Sequence, residues 1–334
     1  MDKHVIAAIV TCWAIAVAGI AEEIRIATYN IENWRTRFDV RELVEWAKTQ
    51  PKSEELNSLI RAERNQDDED NWEIAETIKH AKLNPDVLVF QEGCEQADLD
   101  AFNKKWLGGV YATAKVFPSN SGRGQTIGIL IKDGFKVVET KDQYHKEIDT
   151  VAKDWLKESE EEPSDAMTEN RLFARGPAFV KIQTPGGYTF WLGTNHQKSK
   201  SGNDVNVSAW RFREAKRTHQ IITELAKDGM DVVFGGDMND ELGIQEFEQQ
   251  AGGDATAALV GTDGQTILAT RALAESAEIS FGGYMRDRYR SFIDQFVVSK
   301  SLADRIVSVS VFKEGLAPAA SDHYPVLLVI KSKN

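Results

Sequence analysis

The stretch Asp231–Asp240, DVVFGGDMND, constrains the fold of this chain more than any other. Val232, Val233 and Phe234 form a short apolar run, the pattern of a core strand buried on both faces. Gly235 and Gly236 are expected to break that strand and to let the backbone come close to another group. Asp237 and Asn239 follow, and residues two apart on an extended segment point the same way. The carboxylate and the carboxamide are therefore expected to face one pocket at the end of a core strand. A plain turn after Gly-Gly is the alternative.

Other predicted strands end in polar residues too. Ile24, Ile26 and Thr28 alternate with Arg25, Ala27 and Tyr29, and Asn30, Glu32 and Asn33 follow at the strand end. Asp86–Gln91 reads as a strand closed by Gln91 and Glu92. Ala178–Ile182 and Tyr188–Thr194 flank a Pro185-Gly186-Gly187 hairpin turn. His196 stands at the end of the second of these, with Lys198 and Lys200 beyond it, a set suited to holding a phosphate. Phe292–Ser299 carries one acid, Asp294, in an apolar run; buried, it requires a histidine or arginine partner. Asp322 and His323 stand before the last strand, Val326–Ile330, and Arg305–Phe312 alternates as another strand.

Between these strands, Val40–Thr49, Ser53–Arg64, Asn71–Ala81, Val205–Lys227 and Glu241–Gln250 read as helices, with Gln66–Asp70 as an acidic loop. Residues 35–70 and 141–170 read as charged surface insertions, the second as a helix plus loop with an acidic run at Glu158–Glu162. Gly122–Ile131 is a glycine-rich turn entering a strand; no Gly-Lys-Ser/Thr follows, so it is no phosphate-binding P-loop. Gly282–Arg290 interleaves Tyr284 and Tyr289 with Arg286, Arg288 and Arg290, either a phosphate surface or a solvated turn.

The chain has 334 residues and a formal net charge of −12, which argues against a general basic surface for nucleic acid. A metal-dependent nucleic-acid enzyme stays open, because bound cations offset local negative charge. Residues 1–21 read as a secretory signal, with Lys3 and His4, an apolar Val5–Ala18 and small residues before Glu22. The mature product, 22–334, is then one domain, exported to a periplasmic or extracellular space, monomeric and without stable membrane association. It keeps Cys94 alone, so no internal disulfide forms, and no Cys/His cluster suggests zinc.

Collected, the strand ends offer carboxylates, amides and two histidines without thiolates. That set suits a hard cation (Mg²⁺, Mn²⁺ or Ca²⁺), acid/base chemistry and phosphoryl oxygens, hence metal-assisted hydrolysis of a phosphoester. The ordered blocks TYNIEN, VFQE, GTNHQKS, GGDMN and SDHYPV, with FIDQFVVS before the last, resemble the endonuclease/exonuclease/phosphatase superfamily. The resemblance spans nearly the whole mature chain. It implies a DNase I-like α/β fold, a four-layer α/β/β/α sandwich with the site at one end of its paired sheets. It also implies roles. Asn30 and Glu92 hold the metal, with Asp322 a further metal-site acid and Glu32 an added ligand. Asp237 orients or deprotonates the attacking water, and Asn239 contacts the phosphate. His323 contacts the phosphate or moves a proton, with Asp294 orienting it, and His196 is the second histidine. Lys198, Arg175 and Arg288 are the substrate-binding candidates. The chain departs from the family pattern at Gln197 and Met238, where bulky apolar and Phe residues are common. The implied substrate is nucleic acid; a phosphomonoesterase or a phospholipase C/sphingomyelinase-type hydrolase is the alternative on the same fold.

Overall fold

The computed structural model describes residues 21–34, 46, 49–51, 53–122, 124–153, 169–200, 205–243, 246–282 and 290–333. Nearly all of the expected signal lies outside the described residues. So do residues 35–45, the run Glu158–Glu162 and the residues Tyr284, Arg286, Arg288 and Tyr289. Among the described residues no helix is long and apolar enough to cross a membrane.

Two six-stranded sheets form the centre. The first comprises β1 (Glu23–Asn30), β2 (Val87–Gly93), β3 (Tyr111–Phe117), β4 (Thr126–Lys132), β11 (Ile306–Val311) and β12 (Val326–Lys331), in the order β11-β12-β1-β2-β4-β3. The second comprises β5 (Lys136–Lys141), β6 (Ala178–Gln183), β7 (Thr189–His196), β8 (Asp231–Asp237), β9 (Thr266–Leu268) and β10 (Asp294–Ser299), in the order β5-β6-β7-β8-β10-β9. Each sheet has one parallel pair at its centre, β1 with β2 and β7 with β8, and is otherwise antiparallel. Helices α1 (Glu54–Lys79) and α2 (Gln96–Lys105) cover the first sheet, and α3 (Val205–Leu225) covers the second.

Strand alternation accounts for the layers. Ile24 and Ile26 of β1, with Val87 and Val89 of β2, meet Phe190 and Leu192 of β7, Val233 of β8 and Phe296 and Val298 of β10 in one core between the sheets. The residues in between point outward. Ala27, Tyr29, Leu88 and Phe90 pack against Ile74 and Ile78 of α1 and Leu99 and Phe102 of α2. Val232, Phe234 and Trp191 pack against Ile221, Ile222 and Leu225 of α3. Each central strand is thus apolar on both faces, which requires a cover on each side. The result is the expected four-layer α/β/β/α sandwich.

Several local expectations are corrected. Gly235 and Gly236 do not break β8, which runs through them to Asp237. They admit close neighbours instead: a Cβ at Gly235 would lie 2.4 Å from the Phe296 ring, and one at Gly236 would lie 2.3 Å from the Asn195 carbonyl oxygen. The acidic stretch Gln66–Asp70 is not a loop, because α1 is continuous from Glu54 to Lys79. Its Ser53 cap accepts from Leu56 N, its C-terminal half is buried through Ile74, Ala75 and Ile78, and extending an existing helix costs little. Asp68 then pairs with Lys105 of α2 at 2.7 Å. The segment before Asn170 is not simply solvated either: Asp149 and Lys153 are buried and paired at 3.1 Å, with Arg213 of α3 closing on Asp149. The helix placed at Glu241–Gln250 is assigned only over Glu246–Ala251. Strands β3, β5 and β9 have no counterpart in the sequence reading, because their alternation is irregular or only three residues long.

Candidate active site

The inward faces of the central strands change character along their length. On β1 they run Ile24, Ile26, Thr28, Asn30, and on β2 Val87, Val89, Gln91. On β7 they run Phe190, Leu192, Thr194, His196, and on β8 Val233, Gly235, Asp237. β10 runs the opposite way and reads Val298, Phe296, Asp294 in the same direction. A middle layer of Thr28, Gln91 and Thr194 joins the sheets: Gln91 Nε2 donates to Thr194 Oγ1 at 3.0 Å, and Thr28 Oγ1 donates to Gln91 Oε1 at 3.3 Å. Above that layer every inward position is polar. The site is the end of the inter-sheet core, continued in the same register.

Register brings the reactive groups together. His196 and Asp294 both lie opposite Asp237, one on each neighbouring strand. Asp237 Oδ2 accepts from Asn30 Nδ2 at 2.9 Å, a bond that crosses from one sheet to the other. The same oxygen lies 3.3 Å from His196 Nε2 and 3.8 Å from His323 Nε2. Asp237 Oδ1 accepts from Asn239 N at 2.7 Å. The partner that a buried Asp294 requires is His323, whose Nδ1 lies 2.8 Å from Asp294 Oδ2. His196 faces two acids, since Glu92 Oε1 also lies 3.8 Å from its Nε2.

Burial, reinforced by Asp294 and opposed by the charge of His323, pushes the Asp237 carboxyl up to about 7. Burial pulls the His323 imidazole down, but Asp294, Asp237 and Asp322 outweigh it and raise that group to about 10. Near neutrality His323 therefore keeps its proton while Asp237 is close to losing its own. Asp237 is suited to accepting a proton from water, and His323 to carrying positive charge towards an anionic oxygen.

Glu92 reaches the site through an irregularity. By alternation it belongs on the outer face with Phe90, but the β2 ladder slips between Gln91 and Gly93, and Glu92 takes a left-handed φ of 56°. Its carboxylate then turns inward, accepting from Asn33 N at 2.8 Å and lying 3.5 Å from Asn30 Nδ2. Glu32, Asn33 and Asn239 also have positive φ, so four of the seven such non-glycine residues described belong to this one site. Backbone strain of that kind concentrates where geometry is imposed by function.

Asp237, Asp294 and His323 lie within 4.8 Å of one another, but His323 Nδ1 already faces Asp294. The more open oxygens suit a hard ion better. Burial, reinforced by Glu32, Glu92 and Asp294 and opposed by the charge of His323, raises Asp322 to about 6. Glu92 and Glu32 lie near enough to Asp322 to perturb it and, with the Asn30 amide, carry oxygens of the kind such an ion takes, but among the described residues only the Asp237, Asp294 and His323 donor atoms close to within 4.8 Å of one another.

Some expected residues stand elsewhere. Asn239 is left-handed, so alternation does not carry its side chain beside Asp237; its Nδ2 donates to Gln197 O at 3.1 Å. Arg175, expected to meet substrate, is buried, and its guanidinium donates to Gln125 Oε1 and to the carbonyls of His196 and Gln197. Lys198 sits just outside the site with its ammonium 5.6 Å from the Trp210 ring centre. Lys200 pairs with Asp240 at 3.0 Å. Arg288 lies outside the described residues. Of the basic residues on α3, Arg211 is buried, while Arg213 and Arg217 pair with Asp149 and Glu147. Sequence reasoning missed Gln125, which joins Arg175 to Asn33; a polar residue in a glycine-rich turn carries no signal of its own. It also missed the Thr28–Gln91–Thr194 layer, which period-two counting back from Asn30 and His196 would have found.

The Endonuclease/Exonuclease/phosphatase family model matches residues 27–323. Among solved structures, the chain is similar to an endonuclease/exonuclease/phosphatase family protein from Bacteroides thetaiotaomicron, at 15% identity and TM-score 0.59, covering 95% of this chain and 100% of that one. It is similar to a mannosyl-6-phosphatase from the same organism, at 14% identity and TM-score 0.57, covering 92% and 99%. It is also similar to D. rerio TDP2 in complex with a single strand DNA product, at 15% identity and TM-score 0.53, covering 92% and 98%. No curated protein matches the chain by sequence.

Proposed function

Because the chain belongs to the endonuclease/exonuclease/phosphatase family and is thereby a phosphoric ester hydrolase, we propose that it is an exported, divalent-metal-dependent nuclease. The observation that carries this reading is Asp237 set between two imidazoles, 3.3 Å from His196 and 3.8 Å from His323, at the polar end of the core. Asp237 holds the attacking water and takes its proton. His323, oriented by Asp294, faces the phosphoryl oxygens as a cation. His196 and the Asn30 amide line the opposite side and fix the Asp237 carboxylate between the sheets. Glu92, Asp322, Glu32 and Asn30 would hold a Mg²⁺ or Mn²⁺, which would supply charge neutralisation at the phosphate.

The likeness to TDP2 in its DNA complex supports a nucleic-acid diester as substrate. The likeness to a mannosyl-6-phosphatase supports a second reading, a phosphomonoesterase on the same site. Residues 1–21 support export, and a single mature chain without disulfides is the expected product.

The deciding assay uses the chain from Glu22 with supercoiled plasmid, in Mg²⁺ or Mn²⁺, in EDTA, and beside a His323→Ala control. Metal-dependent nicking that the variant lacks is the expected result. Intact plasmid together with metal-dependent release of phosphate from sugar phosphates overturns the nuclease reading in favour of the phosphatase. Silence with both substrates overturns each and brings a lipid phosphodiester forward.

A further inference from the structure

His196 ends β7, and the backbone around it is held by two buried charged side chains from elsewhere in the chain. Arg175 donates through Nε to His196 O at 3.2 Å and through Nη2 to Gln197 O at 2.8 Å. In return, His196 N donates to Arg175 O at 3.0 Å. Glu214 lies on the sheet-facing side of α3 and is 1% exposed. One of its oxygens accepts from Ala174 N at 2.7 Å and the other from Lys198 N at 2.8 Å. The segments 174–175 and 196–198 are therefore tied to each other by the guanidinium and to the helix by the carboxylate.

Covering a sheet with a helix does not call for this. Apolar residues of the same volume hold such a contact as well or better than a buried charge. Directional bonds to four backbone groups supply a fixed position instead. The group so fixed is the His196 imidazole, whose Nε2 must lie within reach of Asp237 Oδ2.

We propose that Glu214, acting through the Ala174 and Lys198 amides together with Arg175, is a positioning residue that sets His196 against Asp237. The inference rests on the reading above in which His196 belongs to the catalytic site.

The test is a double-mutant cycle of E214Q with H196A, measured on the metal-loaded protein with bis(4-nitrophenyl) phosphate. Glu214→Gln keeps the shape but turns one of two acceptors into a donor facing an amide N–H. The expected result is a fall in kcat of roughly 10- to 100-fold with KM nearly unchanged, since small misplacements are costly in rate. In the H196A background E214Q should have no further effect. A second readout needs no turnover: in metal-free protein the imidazole NMR signal assigned to His196, by its loss in H196A, should shift in E214Q. Arg175→Lys keeps the buried charge but loses the planar fork whose Nε and Nη2 span both carbonyls, and carries the same cycle if E214Q does not fold.

An equal fall of kcat in both backgrounds, or an unmoved His196 signal with only a lower Tm, would overturn the proposal. Full activity in H196A overturns the catalytic reading of His196 itself, and the two failures are thus separable.

Discussion

The Asp294–His323 pair carries the sharpest residue-scale expectation. Asp294 is fully buried, and its one bonded oxygen is spent on His323 Nδ1. Asp294→Asn keeps the volume and removes the charge that holds the imidazole cationic and oriented. Turnover should fall by about 100-fold or more, the span of a general acid/base contribution, with little change in KM. A variant with kcat within twofold of the wild type would remove Asp294 from the mechanism. Asp237→Asn should be at least as damaging, since the amide cannot accept a proton. Glu92→Gln tests a different property, namely the charge offered to a cation. Calorimetric titration of Mn²⁺ without substrate should show affinity weakened by about tenfold or more, and an unchanged affinity would place the ion elsewhere.

At the scale of elements, the close approach of β7 to β8 sets the distance between His196 and Asp237. It depends on glycine. A Cβ at Gly236 would fall 2.3 Å from the carbonyl oxygen of Asn195, a backbone atom that cannot swing away. Gly236→Ala must therefore spread the two strands beside the catalytic pair. It should cost about 1–3 kcal/mol in denaturant unfolding and reduce kcat together with stability. Gly193→Ala presses on the Phe179 ring, also at 2.3 Å, but lies two residues further from the site. It should lower Tm while kcat stays within a few-fold. If both variants lose activity equally, the local account of strand spacing fails. The long α1 makes a related point. Its polar middle reads as a loop only when the segment is considered alone; an apolar stripe further along keeps it helical.

The whole molecule is pinned at the end remote from the site by a second buried network. Asp231 begins β8 and accepts from the Tyr188 hydroxyl at 2.6 Å and from Ser301, with the Arg305 guanidinium against the same carboxylate. Arg305 also donates to Lys331 O of β12, so the network joins the two sheets. Burial opposes the charge on Asp231, but Ser301, Tyr188 and Arg305 outweigh it and hold the carboxyl below its ordinary 3.8. A carboxyl depressed in the folded state contributes stability above its unfolded pKa and loses it as pH falls through the folded one. Asp231→Asn should accordingly be less stable than wild type at pH 7, by about 2 kcal/mol. The gap in Tm should narrow steadily below pH 3.8. A gap that stays constant down to pH 2.5 or so would show that the charge contributes nothing there.

What the sequence determined by itself is the layering and the inventory. Apolar runs at Val232–Phe234 and Val87–Phe90, and alternation at Ile24–Thr28, need cover on both faces, which is a local property of each strand. Polar residues at the ends of those runs, Asn30, His196, Asp237 and Asp294, are likewise readable one strand at a time. Tertiary structure decided which of them meet. Asn30 and Asp237 are 207 positions apart and touch only because two sheets pack face to face in one register. Glu92 points inward only because β2 carries a bulge, and Arg175 reaches the His196 and Gln197 carbonyls only because it is buried between strand ends. Periodicity fixes the face on which a residue stands. A bulge, a left-handed residue or a neighbour without a Cβ changes where that face leads, and these depend on contacts distant in the chain.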